Sequence, residues 1–476
     1  MGLNTVPIEY LTAWPALLVA LMWWDRRHAR LPLFIVYSYI AGLAINHWFG
    51  ALVHISLTDA SASSVDTPDG FALSTWGLVF LVAGAAAFPA VRFVNAKLRR
   101  PIGARDPSHN ARRAINIILL LGIACWIAEL SPVARVPSLG AAISGGKELL
   151  IAGICLKCWL AWNAGESRRL LLWLSIGFAL PLYTMLVLGF LGYGITYLSC
   201  ILIFVGTFYR PRWRVFAAGL IAIYAGLSVY VAYVENRVEI RDAVWGGRSM
   251  EDRFDAAMKM MNDIVPFDPS NPDHKRLVDL RLNQNYLVGA SMQYVPEMQP
   301  FVEGETLYIA LIGLIPRAIW PGKPETGGSG NLVTDFTGIR FAEGTSVGIG
   351  QVMEFYVNFG WTGVAVGFFL FGFGLRFVDL LVSISIRDQE WSKAGLWFAV
   401  GLSAIQPIGQ LVEVTTSMAA AAVFGIMAHK LSQTSWGGRG AGPLSGAVRA
   451  DGSMPLIRSL PLRGDRPVDR PERNVL

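Results

Sequence analysis

Apolar residues dominate the chain in long runs, and polar residues cluster between the runs rather than alternating with them. Eight runs lie near 8–24, 31–54, 73–91, 114–131, 148–164, 170–190, 195–209 and 215–234. After a long mixed stretch come three more, near 358–383, 393–409 and 412–430. A helix crosses a bilayer with about 17–25 predominantly apolar residues. The pattern therefore predicts an all-α polytopic membrane protein of eleven transmembrane helices. Helices 1–8 fall within 1–234, one large external loop covers 235–350, and helices 9–11 fall within 351–430. The remainder, 431–476, is basic and rich in Gly and Pro without an apolar period, and it reads as a disordered cytoplasmic tail.

Charge orients this arrangement. "DRRHAR", the 92–113 loop, "ESRR", "RPRWR", "IRDQEWSK" and the tail together hold 25 Lys and Arg, against two (Arg135 and Lys147) in the short loops on the opposite side. By the positive-inside rule the first group is cytoplasmic, which puts the N-terminus and 235–350 outside. The first run has neither a basic leader nor an A-x-A-like site after it, so it is expected to be retained as a span.

Inside the loop, "IPRAIWPGKP" (315–324) interrupts an apolar stretch. If 307–320 crossed, the arginine-rich tail would lie outside. At about 14 residues the stretch is also short for a span. It is expected to lie in the outer interface or to dip in and return, with the prolines stopping the run from crossing. Residues 235–264 carry helical apolar spacing around Phe254, Met258 and Met261, predicting an amphipathic helix against the membrane or the loop's own core. "HKRLVDLRLNQNYLVGA" predicts a second helix that buries Leu277, Leu280, Tyr286 and Leu287 and keeps Arg276, Arg281 and Asn285 on a polar face. The glycines of 322–330 and 344–350 suit close backbone approach to a ligand. A continuous helix over 352–383 would be about 48 Å long and would lift Glu354 and Asn358 above the membrane. Polar groups at such a mouth are functional candidates; a capping or helix–helix hydrogen bond is the alternative.

Composition supports the class. Of 476 residues 53% are hydrophobic and only 16% charged, where soluble domains carry about a quarter. The net charge of +6 is explained by topology rather than by nucleic acid. Cys125, Cys155, Cys158 and Cys200 all sit in apolar runs and read as packing thiols, without a disulfide framework or metal site. Among the intramembrane polar residues, His47 and His54 share one face and read as helix packing. Lys157 either snorkels or pairs with Glu129, and Arg376 pairs locally with Asp379.

"RLNQNYLVG", "FVEGETLYIALIGLIPRAIWPGKP" and "EGTSVGIGQVMEFYVNFGWTGVAVGFFLFG" occur in that order on the external side. Together they resemble the Wzy-type polymerases of bacterial O-antigen and exopolysaccharide repeat units. The likeness is concentrated in roughly 280–375, and the N-terminal spans are similar only in hydropathy. The resemblance implies a metal-independent, cofactor-free glycosyltransferase at the outer face of the bacterial inner membrane. It would move a glycan from undecaprenyl diphosphate to a hydroxyl of the next lipid-linked repeat unit. A flippase and a chain-length regulator would be its pathway partners, and it would use no nucleotide sugar or nucleic acid.

The residues agree with that chemistry. A departing diphosphate is best held by guanidinium and ammonium groups, which nominates Arg281, Arg317, Lys323 and Arg340; lipid-headgroup anchoring is the alternative for each. A general base is required for the acceptor hydroxyl: Glu354 first, then Glu303, then His274. Asn358, Tyr356 and Trp320, with Trp361, are candidates for sugar contact, or for the interfacial aromatic belt. A ligase of the same chemistry and a flippase for lipid-linked sugars are the competing readings. The absence of a visible internal repeat weighs against the flippase.

Overall fold

The computed structural model describes residues 6–28, 33–57, 66–88, 108–131, 136–209, 213–315, 319–320, 322–323, 329–341 and 347–434. The expected disordered tail, Arg317, most of the 92–113 loop and much of the two glycine-rich segments lie outside the described residues. Sixteen helices form the described part. They begin with α1 (Ile8–His28), α2 (Ile35–Ile55), α3 (Thr67–Ala87), α4 (Ser108–Glu129), α5 (Pro137–Asn163) and α6 (Ser167–Leu188). Next come α7 (Leu191–Phe208), α8 (Trp213–Trp245), α9 (Met250–Asn262), α10 (Pro272–Leu282) and α11 (Asn285–Tyr294). The last are α12 (Glu305–Gly313), α13 (Ser329–Thr337), α14 (Gly350–Arg387), α15 (Trp391–Ser403) and α16 (Leu411–Gln433).

Among the described residues eight helices are long and apolar enough to cross a membrane: α2, α3, α4, α6, α7, α8, α14 and α16. This is a helical membrane protein. The other three expected runs are also helical, but α1 and α5 carry several charges and α15 has only 13 residues. The center of the bundle is α5, packed on by α4, α6, α7, α15 and α16. Most of its middle is buried, including Leu149, Ile151, Ile154, Cys155, Leu156 and Cys158, as expected of a helix largely surrounded by protein. Cys158 and, from α7, Cys200 both lie near the Cys155 thiol, and all four cysteines are free and buried.

Small residues set how closely the helices approach. A Cβ on Gly84 would lie 2.0 Å from the Phe369 carbonyl, and one on Gly372 would lie 2.1 Å from that of Leu81. The α3–α14 crossing thus depends on backbone-to-backbone contact, the way membrane helices associate where burial gives little drive. At one end of that crossing Arg376, with no exposed surface, donates to Asp25 (2.9 Å) and to the Ala85 carbonyl (3.2 Å). Asp379 lies 3.9 Å away and accepts from the Phe34 backbone N–H, while Tyr37 donates to Asp25. The Arg376–Asp379 pair expected within one helix is present, but the closer ion pair is with Asp25, far away in sequence.

Four expectations need correction. The continuous 352–383 helix is broken at Phe359 and Gly360, whose φ/ψ are non-helical. The nine residues 350–358 fold back, so that Phe355 packs on Phe368 and its ring lies 2.6 Å from a Cβ built on Gly367. In a straight helix residues 355 and 367 would be about 18 Å apart. Glu354 and Asn358 are therefore buried in protein and do not stand above a membrane. The 274–290 helix is two helices broken at Asn283–Gln284; Leu280 is exposed and Asn285 is a core residue. In α9 the expected apolar face of Phe254, Met258 and Met261 is exposed, and Ala257 and Met260 are buried in its place. Glu129 pairs with Lys147, whereas Lys157 donates to Asn116 (2.6 Å). Ten residues of helix, about 15 Å, separate the two lysines.

Helices α9 to α12 form a cap on one end of the bundle, packed in turn against α8, α2, α3 and α16. A Cβ on Gly70 would sit 1.9 Å from the Asn285 carbonyl, and one on Gly289 would sit 1.8 Å from that of Asp66. Glycines thus press α11 onto the start of α3. Beneath it, His47 lies in a π-helical turn of α2, with Nδ1 2.8 Å from Asn285 Oδ1 and 3.0 Å from Ser74 Oγ. The two histidines expected to serve packing do so, with His54 3.6 Å from Asp279.

Candidate functional site

The site is built around the α6–α7 turn. Helix α6 ends with Gly189 in the left-handed region (φ 77°), with Phe190 N–H reaching back to the Thr184 carbonyl. This closure satisfies part of the helix C-terminus and needs glycine at that position. The exposed carbonyls of the turn are taken up from α8: Tyr233 Oη donates to Gly189 (2.7 Å) and Trp245 Nε1 to Leu188 (3.2 Å). Arg241, one helical turn before Trp245, then lies over the Phe190 ring at 4.6 Å and over Trp245 at 5.3 Å.

Opposite Arg241, from α10, comes Arg281. The Nε atoms of both arginines are buried without a hydrogen-bond partner. Both guanidinium groups act on Tyr230 of α8, and Arg281 also acts on Tyr286. Burial raises the Tyr286 hydroxyl above its ordinary value, and Arg281 pulls it back. Among the described residues neither arginine has a carboxylate close enough for an ion pair. Two half-enclosed cations without a counterion form a ready anion site.

The negative side of the same region comes from α16. Glu413, in its first turn, is solvent-reached and lies within charge range of Tyr193, as do Arg241 and Glu129. Glu413 forms a capping box with Gln410, and Glu354 lies behind it. Glu354 is 1% exposed, and its Oε2 accepts the Leu411 N–H at 2.7 Å. A carboxylate there meets an orphan N–H at a helix start, so the capping alternative describes what Glu354 does. Its Oε1 and Asn358 Oδ1 are buried without partners, while Asn358 Nδ2 donates to Thr306 (2.7 Å) and to the Glu354 carbonyl.

The remaining candidates are spread out. Lys323 donates to the Gly313 and Ile315 carbonyls (3.1 and 3.2 Å), closing the C-terminus of α12. Arg340 is exposed just beyond α13, and Glu303 is exposed in a turn at φ 45°. Tyr356 is buried, with its hydroxyl on the Val295 carbonyl at 3.2 Å. Trp320 and Trp361 are exposed. His274 accepts the Asp268 N–H and stacks on Phe267, which shapes the turn before α10.

Residues 107–381 match the model of a family described as a domain of unknown function (DUF8712), more than half of the chain. The chain belongs to that family. The matched stretch carries Tyr193, Tyr230, Arg241, Arg281 and Glu354 and ends before Glu413. No curated protein and no solved structure matches the chain.

Of the sequence candidates, Arg281 shares with Arg241 a field on Tyr230, and Arg241 shares with Glu413 a field on Tyr193; Arg241, Tyr193, Tyr230 and Glu413 had not been singled out. Arg241 sits in a mixed-charge stretch among Arg237 and Arg248, and nothing local distinguishes it. Glu413 was visible in principle, as a carboxylate in the first turn of an otherwise apolar helix.

Proposed function

We infer that this protein is a Wzy-type polymerase of undecaprenyl-diphosphate-linked repeat units, working at the outer face of a bacterial inner membrane with eleven crossings. The observation that carries the reading is the pairing of two uncountered guanidinium groups with a solvent-reached carboxylate, Glu413, at one end of the bundle. Arg241 and Arg281 hold the donor's diphosphate. The acceptor hydroxyl attacks the anomeric carbon, the bond to the diphosphate oxygen breaks, and the electron pair leaves on the lipid diphosphate. The hydroxyl proton passes to Glu413. The arginines stabilise the charge that develops as the diphosphate departs, the role of preorganised cations in such transfers. Glu354 acts through α16: it fixes the Leu411 N–H two residues before Glu413. Tyr193 and Tyr230 lie within charge range of these groups and offer hydroxyls to sugar.

The deciding experiment is the lipid-linked product profile of a deletion strain complemented with wild type or Glu413→Gln. Deletion should leave single repeat units on the cell surface, and Glu413→Gln should lower polymer by about 10²–10⁴-fold. Absence of surface repeat units after deletion would make the protein a flippase. Polymer that forms normally but stays on its lipid would make it a ligase.

A further inference from the structure

At the end of the bundle away from this site, α4 and α6 both pack on α5 but scarcely on each other. That leaves a recess with α5 as its floor. Lys157 of α5 lies on this floor, half-buried, and its ammonium donates to the neutral amide of Asn116 on α4. Trp173 of α6 lies 5.8 Å from the ammonium on the other side. The charges acting on Lys157 are Arg112 of α4 and Arg169 of α6, with no carboxylate among them. Arg169 has a partner, Glu166, at 2.6 and 2.8 Å; Arg112 is exposed and has none among the described residues. A lysine in the field of two further cations, with one neutral amide as its hydrogen-bond partner, is repelled rather than neutralised, an arrangement that favors a bound anion.

The walls indicate what kind of anion. On α4, Asn116 continues into Leu120, Ile123 and Ile127 at helical spacing, all three exposed. On α6, Arg169 continues into Leu172 and Ile176, likewise exposed. Each wall therefore carries a cationic or polar head followed by an apolar track along the helix. A small soluble phosphate would use the head alone. A lipid would use both parts, and basic recesses between membrane helices on the cytoplasmic side take anionic headgroups.

We propose that the recess between α4, α5 and α6 binds an anionic phospholipid, its phosphate on Lys157, Arg112 and Arg169 and its acyl chains along the apolar tracks. This site is separate from the outer-end group, and its test does not depend on the polymerase reading. The experiment is native mass spectrometry of the full chain released from phosphatidylcholine nanodiscs that contain a minor fraction of phosphatidylglycerol. Wild type should retain phosphatidylglycerol in preference to phosphatidylcholine. Each cation near the surface contributes about 1 kcal/mol, so Lys157→Gln should lower that preference about fivefold. The triple variant Arg112→Gln, Lys157→Gln, Arg169→Gln should abolish it, and Lys259→Gln, in the cap at the other end, should leave it intact. If the triple variant does not fold, Arg112→Gln alone decides, because its side chain is exposed; it too should lower the preference about fivefold. Equal retention of the two lipids by wild type, or undiminished preference in the variants, overturns the proposal. Displacement of phosphatidylglycerol by millimolar inorganic phosphate would assign the recess to a free anion and overturn it as well.

Discussion

The two arginine groups of this protein are opposites. Arg376 is enclosed completely, with two carboxylates, Asp25 and Asp379, and the Ala85 carbonyl within reach of its charge, although its Nη1 makes no hydrogen bond. Arg241 and Arg281 are only partly enclosed, face tyrosines and each other's field, and have no counterion. A closed group of this kind ties helices together. An open one leaves a charge deficit that folding does not remove, and that is the property of a site waiting for an anion. Sequence position shows Asp379 one turn from Arg376 but does not mark out Arg241, which lies in an ordinary polar stretch.

The largest effect should come from breaking the closed group. Arg376→Leu leaves two buried carboxylates without their cation and should cost about 3–5 kcal/mol, read as a lowered unfolding midpoint in detergent. Adding Asp25→Asn and Asp379→Asn should restore most of that loss. A single Arg376→Leu as stable as wild type would remove the closed group from the comparison.

Opening the other group further should behave differently. Arg241→Ala with Arg281→Ala should cut polymer formation by about 10²–10³-fold while the unfolding midpoint holds or rises, because repulsion is relieved. Arg→Lys at both positions should recover only part of the activity, since ammonium lacks the two-pronged geometry. A large stability loss would mean that these arginines are structural too.

A smaller effect tests how the cap holds Arg281 in place. Gly289→Ala puts a methyl group where the Asp66 carbonyl already lies 1.8 Å away. The overpacking should cost about 1–3 kcal/mol and should appear as faster amide exchange in α10 and α11. Unchanged exchange there would show that the glycine seam does not fix the cap.

The smallest effect concerns α9, tethered by two charges of opposite sign. Hydrogen bonds from Ser249 hold the Asp252 carboxyl below its ordinary value, so this support is complete above the usual aspartate range and is lost as pH falls through the lowered value. The hydrogen bond to Glu239 raises Lys259, so that support is present below the usual lysine range and is lost as pH rises through the raised value. Amide protection of α9, corrected for intrinsic exchange, should therefore be greatest between the two limits and fall on both sides. Protection that is flat with pH would show that neither contact anchors the helix.

Much of this protein follows from sequence alone. The apolar runs are helices where they were expected, because a stretch without polar side chains in an apolar surrounding must satisfy its backbone internally, and a helix does that locally. The helix at α9 and the short α12 ending before Pro316 were also legible, although the face that α9 buries was not. Tertiary structure alone decided the rest. Glu354 looked like a base at a membrane mouth, yet the break at Phe359–Gly360 folds it inward to hold the start of α16. Lys323 turned back onto carbonyls, and Glu129 and Lys157 found partners other than each other. Arg241 and Glu413 come within charge range of Tyr193 although the three belong to different helices. Helix formation depends on neighbors a few residues away and can be read locally. Whether a charge ends paired or uncountered depends on which distant helix lies beside it, and only the packed structure determines that.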